Sequence, residues 1–139
     1  MIRGVIIDIL NDPNTNNMDI EFIVKKDIIE KEIEEVLIKR VINNILYNSI
    51  VHNDENVSIE VKVEKKEKVH IFIIDKGKGI DDVEIKRIFD RYYRGTNTGT
   101  KHKGSGLGMV IARDIVEAHN GSITIKSQLG VGTEIEIIL

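Results

Sequence analysis

The 139-residue chain contains no cysteine. Disulfide frameworks and thiolate metal sites are excluded by that alone, and a reducing compartment is compatible with it. No apolar run approaches the roughly 18–20 residues that a membrane-spanning helix needs, and the N-terminus lacks the pattern of a signal peptide. Proline occurs once, in the turn Asp12-Pro13-Asn14. Charge of either sign is not in large excess: the net −3 argues against a general nucleic-acid binder. What is present is an ordinary globular composition, in a length that fits one domain over 1–139. The charge is unevenly spread, however. Arg87, Arg91, Arg94, Lys101 and Lys103 share one stretch with Asp90 as its single acid.

Periodicity divides the chain without revealing a repeat or a linker. Segment 2–12 is apolar but aperiodic, so pattern alone leaves helix and strand open. Ile20, Phe22 and Val24 alternate with polar residues and predict a half-buried strand over 19–25. From Ile33 to about His52 the spacing becomes helical, with Leu37, Val41 and Ile45 in one row and Ile38, Ile42 and Leu46 beside it. Val57, Ile59, Val61 and Val63 alternate again, and "VHIFIID" (69–75) is apolar enough for a central strand. Asp81 and Glu84 form a capping pattern for a short helix toward Phe89. Residues 90–105 carry no apolar period. Leu107, Val110, Ile111, Ile115 and Ala118 then mark a helix that stops at Asn120-Gly121. Two more strands, holding Ile123 with Ile125 and Ile135 with Ile137, are joined through "QLGVG". The expectation is an α+β two-layer α/β sandwich, with helices over a largely antiparallel sheet.

Four stretches carry possible chemistry. In "NNILYNSIVHN" (43–53), Asn44 and Asn48 lie about 40° apart on a helix, at the flank of its buried stripe. Two amides bonded to nearby backbone would explain them as well as a ligand would. In "DKGKGID" (75–81), Asp75 ends a buried strand and two glycines follow. That offers a fixed acceptor at the mouth of a cleft, though an ordinary turn accounts for the glycines. The basic segment 90–103 is long for a structureless connection, which is usually functional or disordered. In "KHKGSGLGMVIARD" (101–114), three glycines precede a helix, where backbone N–H groups and the helix dipole attract phosphate. The Walker pattern is absent, and the dinucleotide pattern fails at Met109.

In this order the stretches resemble the ATP-binding domain of bacterial sensor histidine kinases, of the superfamily that includes gyrase, mismatch-repair ATPases and heat-shock chaperones. The resemblance runs from the helix at 33 to the C-terminus. "NNILYNSIVHN" resembles the N box, "DKGKGI" the D-x-G-x-G motif, and "IFDRYYR" (88–94) the end of the F box. "GSGLG" (104–108) resembles the second glycine motif, and "GVGTEIEI" (130–137) the closing hairpin.

This resemblance implies a helix at 2–12, a mixed sheet on about three helices, and ATP held under a mobile lid at about 90–105. Asp75 would accept from the adenine amino group, with Gly77, Gly79 and Ile80 closing the loop over the base and Thr133 supporting the pocket. Asn48 would ligand Mg²⁺, a hard cation that takes oxygen donors, and Asn44 would lie beside the phosphates. Tyr93 and Arg94 would begin the lid, Arg94 reaching the phosphates together with Lys103. Gly104, Gly106, Leu107 and Gly108 would bring the helix start to the triphosphate.

Two positions depart from the family pattern. Val51 stands where a basic residue is usual, and His52 where an aromatic near the nucleotide is common. Hydrolytic members carry a glutamate base one turn before the N-box asparagine; here that place holds Asn44, which cannot take a proton. Transfer to a histidine is therefore the expected activity, ahead of hydrolysis or of a degenerate nucleotide-dependent binding module. None of His52, His70, His102 and His119 has the H-box context of the acceptor. The implied partners are a separate histidine-bearing dimerisation domain and, downstream, a response regulator. The implied setting is a monomeric cytoplasmic domain with no membrane contact of its own.

Overall fold

The alternating and apolar segments become five strands of one sheet. The computed structural model describes residues 7–8, 11, 19–24, 35–53, 57–90 and 108–139. Within these, the side chains of Phe22, Val24, Glu35, Ile50, Val51, His52 and Lys65 lie outside the description. Strand β1 covers Asp19–Val24, β2 Ser58–Lys65, β3 Val69–Asp75, β4 Ser122–Gln128 and β5 Gly132–Ile138. They lie in the order β1-β2-β3-β5-β4. β1 runs parallel to β2 and every other pair is antiparallel. The apolar "VHIFIID" is the middle strand, as its composition requires. Its inward residues Val69, Ile71, Ile73 and Asp75 are buried, and the intervening ones are half-buried.

Among the described residues, three helices cover the inward face: α1 over Glu35–His52, α2 over Asp82–Arg87 and α3 over Gly108–Ala118. Of the segment expected to be helical at 2–12, residues 7 and 8 are helical, and Asn11 donates its N–H to the Ile7 carbonyl at 3.1 Å. Asp8 pairs with Lys39 of α1 at 3.0 Å. The rest of that segment lies outside the described residues, as do residues 91–105 of the lid expected at about 90–105. α2 begins where Asp81 caps the Glu84 N–H at 2.8 Å, with the capping side chain the sequence pattern names.

α3 ends in a Schellman arrangement. Asn120 adopts φ 58°, the Asn120 N–H bonds to the Glu117 carbonyl at 3.0 Å, and the Gly121 N–H bonds to Val116 at 2.9 Å. Asparagine tolerates this left-handed position better than most residues.

The core lies between helices and sheet. Ile38, Val41, Ile42, Ile45 and Leu46 of α1 and Met109, Ala112 and Val116 of α3 meet Ile59, Val61 and Val63 of β2, Ile71 and Ile73 of β3, and Ile135 and Ile137 of β5. Leu37, in the same predicted row as Val41, is only half-buried. The arrangement is the expected two-layer α/β sandwich. Truncating Ile73, which is 1% exposed, to alanine is expected to cost about 2–5 kcal/mol through lost burial and a cavity. Val36→Ala, at a site 79% exposed, should stay within about 0.5 kcal/mol. Urea denaturation of the two variants measures both.

Candidate functional site

Asp75 closes β3, and the two-residue period of the strand turns its side chain inward with Ile71 and Ile73. It is only 6% exposed. Burial pushes its carboxyl above the ordinary carboxylate range. Hydrogen bonds from the Gly77 and Thr133 backbones and from the Asn53 and Ser49 side chains act the other way. The Gly77 N–H bond measures 3.0 Å. Thr133 reaches the same place because it is the register partner of Asp75 on β5, and it too is buried.

The loop after Asp75 is held from two sides. Asn53, just past the end of α1, donates to the Ser49 carbonyl at 2.8 Å and accepts from the Lys78 N–H at 3.0 Å. Its amide fills the space above Gly77, so a Cβ on residue 77 would collide with it. On the other side the β4–β5 hairpin docks. Gly130 donates to the Lys78 carbonyl at 2.8 Å, and the Ile80 N–H donates to Ser127 Oγ at 2.8 Å. Gly79 has φ +76°, and a Cβ there would strike the Gln128 carbonyl. These two glycines therefore serve packing against α1 and β4, whatever the loop also closes over.

Between these elements lies a cleft lined by Asn48, Ser49, Asn53, Asp75, Gly79, Ile80, Thr133 and Ile135. Asn48, Asp75, Gly79, Ile80 and Thr133 are thus brought together, and Gly77 adjoins them. Asn44, one turn before Asn48, is half-buried, and its Nδ2 is buried without a hydrogen-bond partner. Gly108, first residue of α3, faces it. A Cβ on residue 108 would sit 3.8 Å from Asn44 Cβ and Cγ, an ordinary contact. The N–H groups of the first turn of α3, which have no partner within the helix, start at this point. Tyr93, Arg94, Lys103, Gly104, Gly106 and Leu107 lie outside the described residues, as does the side chain of His52.

Sequence reasoning passed over Ser49, Asn53 and Ser127. Ser127 did leave a trace: it continues the inward phase of Ile123 and Ile125 on β4, where a hydroxyl is out of place in an apolar row.

With this geometry in view, comparison with known proteins defines the class. Residues 33–139 match the model of the histidine kinase-, DNA gyrase B- and HSP90-like ATPase family, and the chain belongs to that family. Among curated proteins it is 38% identical over 137 residues to the sensor histidine kinase YvrG of Bacillus subtilis, covering 98% of this chain and 24% of that protein. It is 40% identical over 81 residues to the sensor protein SrrB of Staphylococcus aureus, covering 58% of this chain and 12% of that one. The chain thus spans about a quarter or less of the length of these relatives.

Solved structures agree on the fold. A mycobacterial sensor histidine kinase, MprB, matches at TM-score 0.77 and 22% identity over 99% of this chain and 91% of that one. The catalytic domain of histidine kinase ThkA, in a nucleotide-free form, matches at 0.78 and 25% over 99% and 90%. Full-length ShkA in complex with AMPPNP matches at 0.80 and 20% over 99% and 29%.

Two outcomes test the site. Gly79→Ala should destabilise more than Gly130→Ala: both residues have positive φ, yet only at 79 does a Cβ meet backbone, since residue 130 has nothing within 4 Å. Equal losses in chemical denaturation would remove the hairpin contact from the account. The second concerns pH. Because Asp75 holds its proton more tightly folded than unfolded, its contribution to stability falls as pH rises from the ordinary carboxylate range through the raised value, and is flat above it. Thermal unfolding across that window should show wild type losing stability relative to Asp75→Asn; a constant difference would refute the linkage.

Proposed function

We propose that this chain is the ATP-binding catalytic domain of a two-component sensor histidine kinase. It would transfer the γ-phosphate of ATP to a histidine on a separate dimerisation domain, and a response regulator would take the phosphate onward. The observation that carries the reading is the buried Asp75 carboxylate, held at the rim of the cleft by four donors from α1, β5 and its own loop. A carboxylate fixed there accepts from the amino group of adenine, whereas guanine presents a carbonyl. A site built on one buried acceptor rejects the wrong partner strongly.

The residues present suit ATP and Mg²⁺. Asn48 lines the cleft with an amide oxygen to offer a divalent cation. Among the described residues no group of three His, Cys, Asp or Glu could hold a metal, so the phosphates would supply most of the remaining charge. Bound there, Mg²⁺ would offset charge on the phosphates as the γ-phosphoryl leaves. The partnerless Nδ2 of Asn44 is a donor without an acceptor, a state that costs about 1–3 kcal/mol when buried. A phosphate oxygen beside Gly108 and the start of α3 would satisfy it.

Asn44 cannot serve as a base, so water is poorly activated and a histidine nitrogen, already nucleophilic, is the better acceptor. The protein's part is to position and to stabilise charge. Arg94, Tyr93, Lys103, His52 and the glycines 104 and 106 complete the proposal as residues of a lid and phosphate cradle, with Leu107 beside them. No helix among the described residues is long and apolar enough to cross a membrane.

Calorimetry should give tight binding of Mg-ATP, weak binding of Mg-GTP, and loss of the magnesium dependence in Asn48→Ala. With γ-labelled ATP the chain alone should stay unlabelled and release phosphate only at a trace rate. Adding the dimerisation domain of the same kinase should produce an acid-labile, alkali-stable phosphate on that domain. Label on this chain alone, or rapid release, would assign it to a self-phosphorylating or hydrolytic member. Silence with the partner present would favour a binding module, the reading to which Val51 points.

A further inference from the structure

Ser127 Oγ lies at the centre of three close contacts. It receives the Ile80 N–H at 2.8 Å, donates to the Gly132 carbonyl at 2.9 Å, and stands 2.7 Å from Thr133 Oγ1. Ser127 and Thr133 are register partners on β4 and β5, which fixes the pair across the sheet. A serine hydroxyl has one hydrogen and two lone pairs. The Ile80 amide can only donate, so it takes one lone pair. The Gly132 carbonyl can only accept, so it takes the hydrogen. One lone pair remains for Thr133, which must therefore donate. The Thr133 hydrogen points at Ser127, and what Thr133 turns toward the cleft is an acceptor.

We propose that Ser127 is a positioning residue that locks the Thr133 hydroxyl as an acceptor and so sets base selectivity in the cleft. The inference rests on the ATP reading and deepens it. Thr133 and Asp75 are register partners on neighbouring strands, and both line the cleft. With Thr133 locked, this edge consists of acceptors only. It suits a group with two hydrogens to give, as the 6-amino group of adenine has, directly or through a water. A 6-keto base offers none at that position. Were Thr133 free to rotate, its hydroxyl could donate to a keto oxygen and discrimination would rest on Asp75 alone. Rotation in the present arrangement sets two lone pairs against each other at 2.7 Å, and Ser127 cannot relieve this without abandoning the Gly132 carbonyl.

The test compares binding of ATP with its 6-keto analogue, inosine triphosphate, by calorimetry. In Ser127→Ala the preference for ATP should narrow by roughly three- to tenfold, the size of one hydrogen bond. Ser127→Cys leaves no cavity, and its larger sulfur accepts poorly. It should narrow the ratio likewise, and it serves if the alanine variant does not fold. Ser127→Thr should restore it. In a Thr133→Val background, where no hydroxyl remains to be directed, changing Ser127 should leave the ratio unmoved. An unchanged ratio in the Ser127 variants overturns the inference alone, as does an equal shift with and without the Thr133 hydroxyl. Absence of ATP binding by the wild-type chain overturns the ATP reading, and the inference falls with it.

Discussion

A carboxylate taken out of water at the end of a central strand governs the design of this domain. Ionised Asp75 is tolerable only because donors converge on it from the Gly77 N–H, the Thr133 N–H, Ser49 and Asn53. The donors tie down three different pieces of chain. Ser49 and Asn53 bring the C-terminal end of α1, Gly77 brings the loop, and Thr133 brings β5. The one charge therefore fixes the mutual placement of helix, loop and hairpin, and the cleft exists where they meet. Satisfying a buried ion and shaping the cleft are here the same act.

The glycines divide by what presses on them. Gly77 makes room for the Asn53 amide, and Gly79 makes room for the backbone of β4 while turning the chain at positive φ. Both are demanded by protein against protein. Gly108 is different, since a side chain there would meet Asn44 at ordinary distance. Its want of a side chain has no packing cause among the described residues. That contrast, together with the partnerless amide of Asn44, sets the surroundings of Asn44 and Gly108 apart from the loop at 77–79, whose glycines the protein's own packing explains.

Much of this was legible in the residues. Strict alternation in β2 and the helical rows of α1 specified their elements and inward faces, because burial enforces period 2 or 3.6 and nothing competes with it there. Asp75 was legible as a candidate because a charge closing an apolar strand contradicts its surroundings. The supporting groups were harder to see. Asn53 acts through a helix end that meets a loop 25 positions later, and Ser127 acts across a hairpin and onto Ile80, 47 positions earlier. Such contacts are set by tertiary placement and leave no local period. The segment 2–12 resisted assignment for a related reason: uniform apolarity carries no phase.

The single parallel pairing has a consequence for how the chain assembles. β2 with β3 and β4 with β5 each close over a three-residue connection, so those ladders form between near neighbours in sequence. β1 instead joins β2 in parallel register, Asp19 opposite Ser58, and must wait for α1 to cross the sheet. Closing a loop of that length is entropically slow, and contacts distant in sequence lower folding rates. The sheet is therefore two fast-forming hairpins joined by distant pairings, with Asp75 opposite Thr133 between β3 and β5 and Asp19 opposite Ser58 between β1 and β2. The cleft lies where the two hairpins join, beside the helix that links β1 to β2.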